Sequence, residues 1–161
     1  MVTGLSLLLL IIKTADCLPV LVVDESRRVI AAVHCGWRGT SKGVVKRAIQ
    51  SIVTHFGCRP SDLLVGLGPC IEGECYEVGE DVLQAFQKEG LKTKFFRDHP
   101  SRKGKYLFDL KGENLSQLVS VGVDEKNIFS ADCCTYCDNN LPSFRREKER
   151  AGRMLSFIGM K

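Results

Sequence analysis

Long apolar runs, aromatic residues, disulfide-level cysteine and charge of one sign are all scarce in this chain. Its longest apolar stretch, Leu5–Ile12, is broken by Ser6 and falls far short of the ~20 residues that cross a bilayer. Nothing basic precedes it, and Lys13-Thr14-Ala15-Asp16-Cys17 follows without a small-x-small cleavage site, so it does not read as a signal peptide. Aromatics make up 7% with one Trp, and 23 Lys and Arg against 19 Asp and Glu leave a net charge of +4. That balance is too mild, and too poor in interleaved aromatics, to describe a nucleic-acid groove. Eight Cys in 161 residues is about 5%, below the ~8–10% of disulfide scaffolds. A chain of this length can bury a core without staples. The thiols therefore read as reduced and the compartment as cytoplasmic.

What is present is an ordinary globular composition, 44% hydrophobic and 26% charged, which sets aside disorder, collagen and coiled coil. The length predicts one domain over residues 1–161. Leu5–Ile12, Pro19–Val23 and Val29–His34 are apolar at nearly every position, the pattern of strands buried on both faces. The second and third flank the polar loop Asp24–Arg28 and predict a hairpin. A helix capped by Thr40 or Ser41 runs to about His55, with Val44, Val45, Ala48, Ile49, Ile52 and Val53 on one face and Gly57 as its stop. A short strand over Asp62–Leu67 leads into Gly68-Pro69-Cys70, and a helix follows over residues 79–89. Gly90–Lys105 is polar and basic and reads as an exposed loop. Asp109 caps a helix over Leu110–Val121, and Ile128-Phe129 make a strand. Ser143–Lys148 and Arg153–Ile158 read as a closing strand pair. The fold class is α/β (α+β), a mixed β-sheet sandwich flanked by helices.

Histidine occurs three times. His55 closes a helix, where its cation suits the C-terminal dipole, and His99 sits in the basic loop. His34 differs: it ends an apolar strand and is followed by Cys35-Gly36-Trp37-Arg38-Gly39. If the hairpin forms, Cys17 lies at the same end of the sheet as His34. A Cys/His pair supports either a thiolate nucleophile with a His base or part of a zinc site that needs further ligands. Arg38, between glycines, is the best single candidate for gripping a phosphate through its planar fork. Cys134-Thr135-Tyr136-Cys137 is a CxxC that Cys70 and Cys75 could complete. The Cys70–Cys75 spacing is not that of a structural zinc knuckle, however, so an all-cysteine site is disfavoured.

Four blocks in order resemble the laccase-domain family. They are Thr14-Ala15-Asp16-Cys17-Leu18-Pro19-Val20; Ala32-Val33-His34-Cys35-Gly36-Trp37-Arg38-Gly39; Gly68-Pro69-Cys70-Ile71 with Cys75-Tyr76-Glu77-Val78-Gly79; and Cys134-Thr135-Tyr136 with Ser143-Phe144-Arg145-Arg146-Glu147-Lys148 and Gly152-Arg153-Met154. Members of that family, first labelled multicopper polyphenol oxidases, are now regarded as purine nucleoside phosphorylases with adenosine deaminase activity. The resemblance implies a fold related to the deamidase domain of a cytotoxic necrotizing toxin, with its Cys/His hydrolase site. It implies zinc held by two His and one Cys, with Cys17 and His34 matching two of the three positions. The third, a His upstream of the Cys, lies in a segment this chain does not contain. The resemblance further implies phosphorolysis of adenosine, inosine and methylthioadenosine and hydrolytic deamination of adenosine. Nucleoside and phosphate are then the partners, with no nucleic acid and no membrane.

On that basis Arg38 with Arg145 or Arg146 would hold phosphate, and Asp16 would orient a ligand or protonate the leaving base. Three alternatives stand beside this reading. A true multicopper oxidase needs about ten His, imidazole being the usual copper ligand, and three are too few. A metal-free Cys–His hydrolase or deamidase uses Cys17 and His34 directly. A catalytically dead fragment or binding module follows if the first ligand is absent. The resemblance also predicts a chain incomplete at its front, leaving Leu5–Ile12 as an open hydrophobic edge for self-association.

Overall fold

The computed structural model describes all of residues 1–161. The chain opens with β1 (Val2–Thr3), a turn, and β2 (Leu9–Thr14). It continues through the hairpin of β3 (Leu18–Asp24) and β4 (Val29–Cys35). Their alternation of apolar side chains on both faces is matched by near-complete burial, and the antiparallel register pairs Leu18 with Cys35 and Pro19 with His34. Asp24 turns the loop by accepting hydrogen bonds from the Ser26 hydroxyl and the Arg27 amide, a local side-chain closure typical of Asp in turns.

Beyond β4 one helix was expected and two form, α1 (Trp37–Ser41) and α2 (Val44–Phe56). The break is Gly43, whose φ of 67° leaves the helical region, a conformation that favours glycine. Thr40 therefore does not cap the long helix. Its hydroxyl is buried and hydrogen-bonded to Asn114, and Gln117 donates to its carbonyl. The apolar face of α2 buries Val45, Ile49 and Ile52 against the sheet, each worth about 1.5–3 kcal/mol relative to exposure.

The remaining elements are β5 (Leu64–Leu67), β6 (Glu77–Gly79), α3 (Glu80–Lys88), β7 (Phe96–Asp98), β8 (Lys105–Phe108), α4 (Leu110–Ser120), β9 (Ile128–Ser130), α5 (Phe144–Glu147) and β10 (Met154–Gly159). The main sheet has the order β1-β4-β3-β5-β9, antiparallel except for β5 with β9. A three-stranded sheet, β6-β8-β7, folds over α3 around Phe86, Phe96 and Phe108, whose rings meet at 4.3–5.2 Å. This is a mixed α/β fold, as the sequence predicted. Asp109 caps α4 through Oδ1, which accepts from the Gly112 amide at 2.8 Å.

Three expectations are corrected. The predicted loop over residues 90–105 contains β7, held by pairing with β8. Residues 143–148 are not a strand: the Ser143 hydroxyl accepts from the Arg146 amide and starts α5, so β10 pairs with β2 instead. Leu5–Ile12 is not buried on both faces. Its strand is Leu9–Thr14, with Ile12 and Thr14 buried but Leu9 and Ile11 exposed, and Leu5, Leu7 and Leu8 precede it in the open.

Candidate active site

The hairpin register brings Cys17, just ahead of β3, beside His34 near the end of β4. Gly36 is the floor between them. A Cβ built there would stand 2.9 Å from Cys17 Sγ and 3.9 Å from His34 Nε2, so any larger residue would fill the hollow on which both side chains converge. The hollow opens into a cleft of about 500 Å³, within the ~300–1,000 Å³ range of small-molecule sites.

Two arginines line that cleft. Arg38 Cζ lies 4.3 Å from the Trp37 ring centre and Arg145 Cζ lies 5.5 Å from that of Tyr76. Stacking on an aromatic face orients a guanidinium while leaving its edge donors free. Neither cation is paired with a carboxylate; the ion pairs of the chain lie elsewhere.

Arg146 is turned away from the cleft. Its guanidinium donates to the carbonyls of Thr135, Tyr136 and Leu141 and to Glu147 Oε1, bracing the loop that carries the CxxC. Asp16 lines the cleft, but both its oxygens are engaged. Oδ1 accepts from the Thr135 hydroxyl at 2.7 Å and Oδ2 from the Arg145 amide at 2.6 Å. Its backbone carbonyl accepts from Ile71. Asp16 has a φ of 78°, a left-handed conformation that Asp tolerates better than most residues. The carboxylate is the knot joining the start of β3, the CxxC loop and α5.

Burial pushes the Cys17 thiol above its ordinary value, and the neighbouring Asp16 charge adds to the rise. Desolvation lowers His34, keeping its imidazole neutral. Tyr76 is also pushed up, first by burial, so it presents a neutral phenol. Tyr76 and Thr135 lay within the sequence blocks, yet no role was read for either. Their positions depend on loops folding back onto Asp16, and only the short polar–aromatic clusters around them hinted at it.

A thiol and a neutral imidazole meeting over a glycine fit two positions of a soft-metal site, and zinc takes that donor chemistry. The CxxC also gathers sulfur. Cys75, Cys134 and Cys137 place their Sγ atoms within 4.8 Å of one another. Cys70 is not part of that group; it is fully buried beside the bridge it forms with Cys134 through the backbone.

A family model described as multi-copper polyphenol oxidoreductase laccase matches residues 1–161. The chain belongs to this family. Among curated relatives, a purine nucleoside phosphorylase from Bacteroides thetaiotaomicron is 38% identical over 92% of this chain and 56% of its own length. The purine nucleoside phosphorylase YfiH of Escherichia coli is 40% identical over 91% of this chain and 57% of its own. A protein from an unknown prokaryotic organism named adenosine deaminase RL5 is 31% identical over 98% and 60%. Among solved structures, YfiH from Bacillus licheniformis superposes with a TM-score of 0.93 at 32% identity, covering 99% of this chain and 60% of that one. YlmD from Geobacillus stearothermophilus superposes at 0.91 and 33%, with the same coverage. The chain thus spans somewhat over half the length of the relatives it matches. No helix is long and apolar enough to cross a membrane.

Proposed function

We propose that this chain carries the catalytic cleft of a cytoplasmic purine nucleoside phosphorylase that also deaminates adenosine. The observation that carries the reading is the convergence of Cys17 Sγ and His34 Nε2 over Gly36, in one cleft with the unpaired Arg38 and Arg145. Its size suits a nucleoside with phosphate, and the names of its relatives agree with those substrates. Eight unpaired thiols suit a reducing cytoplasm.

The residues divide the work by their chemistry. Arg38 and Arg145 take the phosphate and hold one of its oxygens toward the anomeric carbon of the sugar, where the bond to the base breaks as the bond to phosphate forms. Positioning of this kind converts a bimolecular encounter into an intramolecular one. Tyr76, Trp37 and Phe144 also bound the cleft, and Phe144, which carries no guanidinium over its ring, offers an apolar surface for a purine. Asp16, with both oxygens bonded, is a positioning residue that fixes the Arg145 backbone rather than a proton donor. Cys17 as thiolate and His34 through its neutral ring would hold zinc, a Lewis acid that polarises the attacked group and lowers the pKa of a bound water. A catalytic zinc usually has three protein ligands, so at least one further ligand completes the set from outside this pair.

The metal-free hydrolase reading has less support. An activated nucleophilic cysteine has a depressed pKa, whereas burial and Asp16 push Cys17 the other way. Binding to a metal reverses that preference, since a coordinated thiol is deprotonated outright.

The test is incubation with inosine and phosphate, followed by detection of hypoxanthine. In the complete protein, Cys17→Ala and His34→Ala each abolish release, and bound zinc falls with activity. Arg38→Ala raises the KM for phosphate more than that for nucleoside. Activity that survives chelation but dies on thiol alkylation would overturn this reading in favour of the Cys–His hydrolase. An intense blue band with phenol turnover after copper loading would restore the oxidase.

A further inference from the structure

We infer that Cys75, Cys134 and Cys137 form a second metal site, a zinc held by three thiolates and one water behind the wall of the cleft. The inference is independent of the catalytic reading, because it uses none of the residues assigned to phosphate, nucleoside or the Cys17/His34 pair.

The three sulfurs come from two loops far apart in sequence, and all three pairs lie within 4.8 Å, with Cys75 and Cys137 at 3.2 Å. Tetrahedral zinc with Zn–S bonds of about 2.3 Å separates its sulfurs by ~3.8 Å, so a small adjustment of side-chain torsions admits one ion. Cys134 and Cys137 have the two-residue spacing of a zinc-binding pair. The backbone around them is arranged for negative charge on sulfur. The Glu72 amide donates to Cys134 Sγ at 3.4 Å, and Arg146 holds the same loop by the carbonyls of Thr135 and Tyr136. That guanidinium, itself paired with Glu147, fixes the loop's shape.

The other groups nearby are committed elsewhere. Glu72 pairs with Lys111 at 2.5 Å and Glu74 with Arg97 at 2.6 Å, and the Cys133 thiol points to Asp138. Three sulfurs and an exposed side at Cys137 therefore define the coordination, with water as the fourth ligand. Soft thiolate sets select zinc over hard cations. On binding, the three thiols release three protons to solvent and form three Zn–S bonds, with no change of oxidation state. The site lies one residue from Tyr76 in one loop and one residue from Thr135, the partner of Asp16, in the other. Zinc there fastens the two loops that shape the cleft.

The experiment is a cobalt(II) titration of reduced, metal-free Cys17→Ala protein, which removes the other thiol ligand from view. A thiolate-to-cobalt charge-transfer band should grow to saturation at one equivalent, vanish when zinc displaces the cobalt, and be accompanied by a higher melting temperature. Cys137 is exposed, so Cys137→Ser leaves the core intact. It should weaken the band and reduce affinity about tenfold or more, the scale seen when a metal site is perturbed, while its circular dichroism spectrum stays unchanged. The triple variant Cys75→Ser/Cys134→Ser/Cys137→Ser should show no band. Absence of a band in the Cys17→Ala protein, or a band that persists in the triple variant, would overturn the proposal.

Discussion

The hairpin β3–β4 and the pair β2–β10 begin from similar sequence and end in opposite environments. Each contains an almost unbroken apolar run. In the hairpin, Val20, Val22, Ala31 and Val33 are buried on the face that α2 covers, and Ile30 and Ala32 on the opposite face, where β2 and β10 pack. In β2–β10 only the inward face is covered. Leu9, Ile11, Leu155 and Phe157 remain 43–61% exposed. An apolar run therefore reports that a strand is compatible with burial on two faces, not that two neighbours exist. The hairpin's neighbours are supplied by elements within this chain, and the outward face of β2–β10 has none among them.

The sharpest way to break that contrast is to place a carboxylate in each region. Val20 is fully buried, and an unpaired charge there costs several kcal/mol, comparable with the roughly 5–15 kcal/mol that holds a domain folded. Val20→Asp should abolish the cooperative thermal transition followed by circular dichroism. Leu155→Asp, on the exposed face, should keep it. Loss of the fold in both would show that the two regions are equally enclosed.

The joint between the regions is Asp16, at the turn from β2 into β3. Asp16→Ala removes two hydrogen bonds and leaves a residue less suited to a φ of 78°, together worth about 2–4 kcal/mol. Asp16→Asn keeps the left-handed preference and one acceptor, so about half of that loss should return in a urea melt. If Asp16 only positions Arg145, the Asn variant should also keep its KM for nucleoside while the KM for phosphate rises. Equal rises in both would assign Asp16 a direct role at the leaving base.

Alkali offers a milder probe of the same contrast. The hairpin's side of the molecule buries thiols: desolvation pushes Cys58 up to about 11, with the nearby Asp24 carboxylate adding to the rise, and desolvation pushes Cys70 up to about 12. The β2–β10 pair holds none. A thiol whose folded pKa is raised stabilises the fold fully below its unfolded value, near 9, and that contribution is lost as pH rises toward the folded value. Denaturant midpoints should therefore fall steadily from pH 9 to 11. Cys58→Ala should flatten the slope, and an unchanged slope would mean that ionisation elsewhere dominates.

Much of this was legible in the sequence, for identifiable reasons. The hairpin follows from two apolar runs around Asp24–Arg28, and its register sets Cys17 beside His34 without any tertiary information. The amphipathic face of α2 and the Asp109 cap are local signals and survive folding. Arg146 and Arg145 could not be told apart, because adjacent residues on one turn differ only in which way the turn faces. That is decided by Ser143 starting a helix and by distant carbonyls at Thr135 and Leu141. The sulfur cluster is obscured for a related reason: taken together, Cys70 and Cys75 have a spacing that argues against a zinc site, whereas loop closure selects Cys75 alone and brings it to Cys134 and Cys137. The outward face of Leu5–Ile12 was misread because periodicity carries no count of neighbours.

The smallest effect is expected where the misreading occurred. Ile11 and Phe157 face each other across β2–β10 in register, and both point outward, 43% and 61% exposed. Exchanging either for Ser removes little buried apolar area, and surface changes away from special features usually fall within about 0.5 kcal/mol. Their cross-strand contact adds at most about 1 kcal/mol. Ile11→Ser/Phe157→Ser should accordingly melt within a few degrees of the parent while becoming more soluble, since it dilutes a contiguous apolar patch that favours association. Sedimentation velocity at rising concentration reads the second effect directly. A destabilisation above 2 kcal/mol with no change in sedimentation would mean that this face is packed as tightly as the hairpin, and the distinction between the two regions would fail.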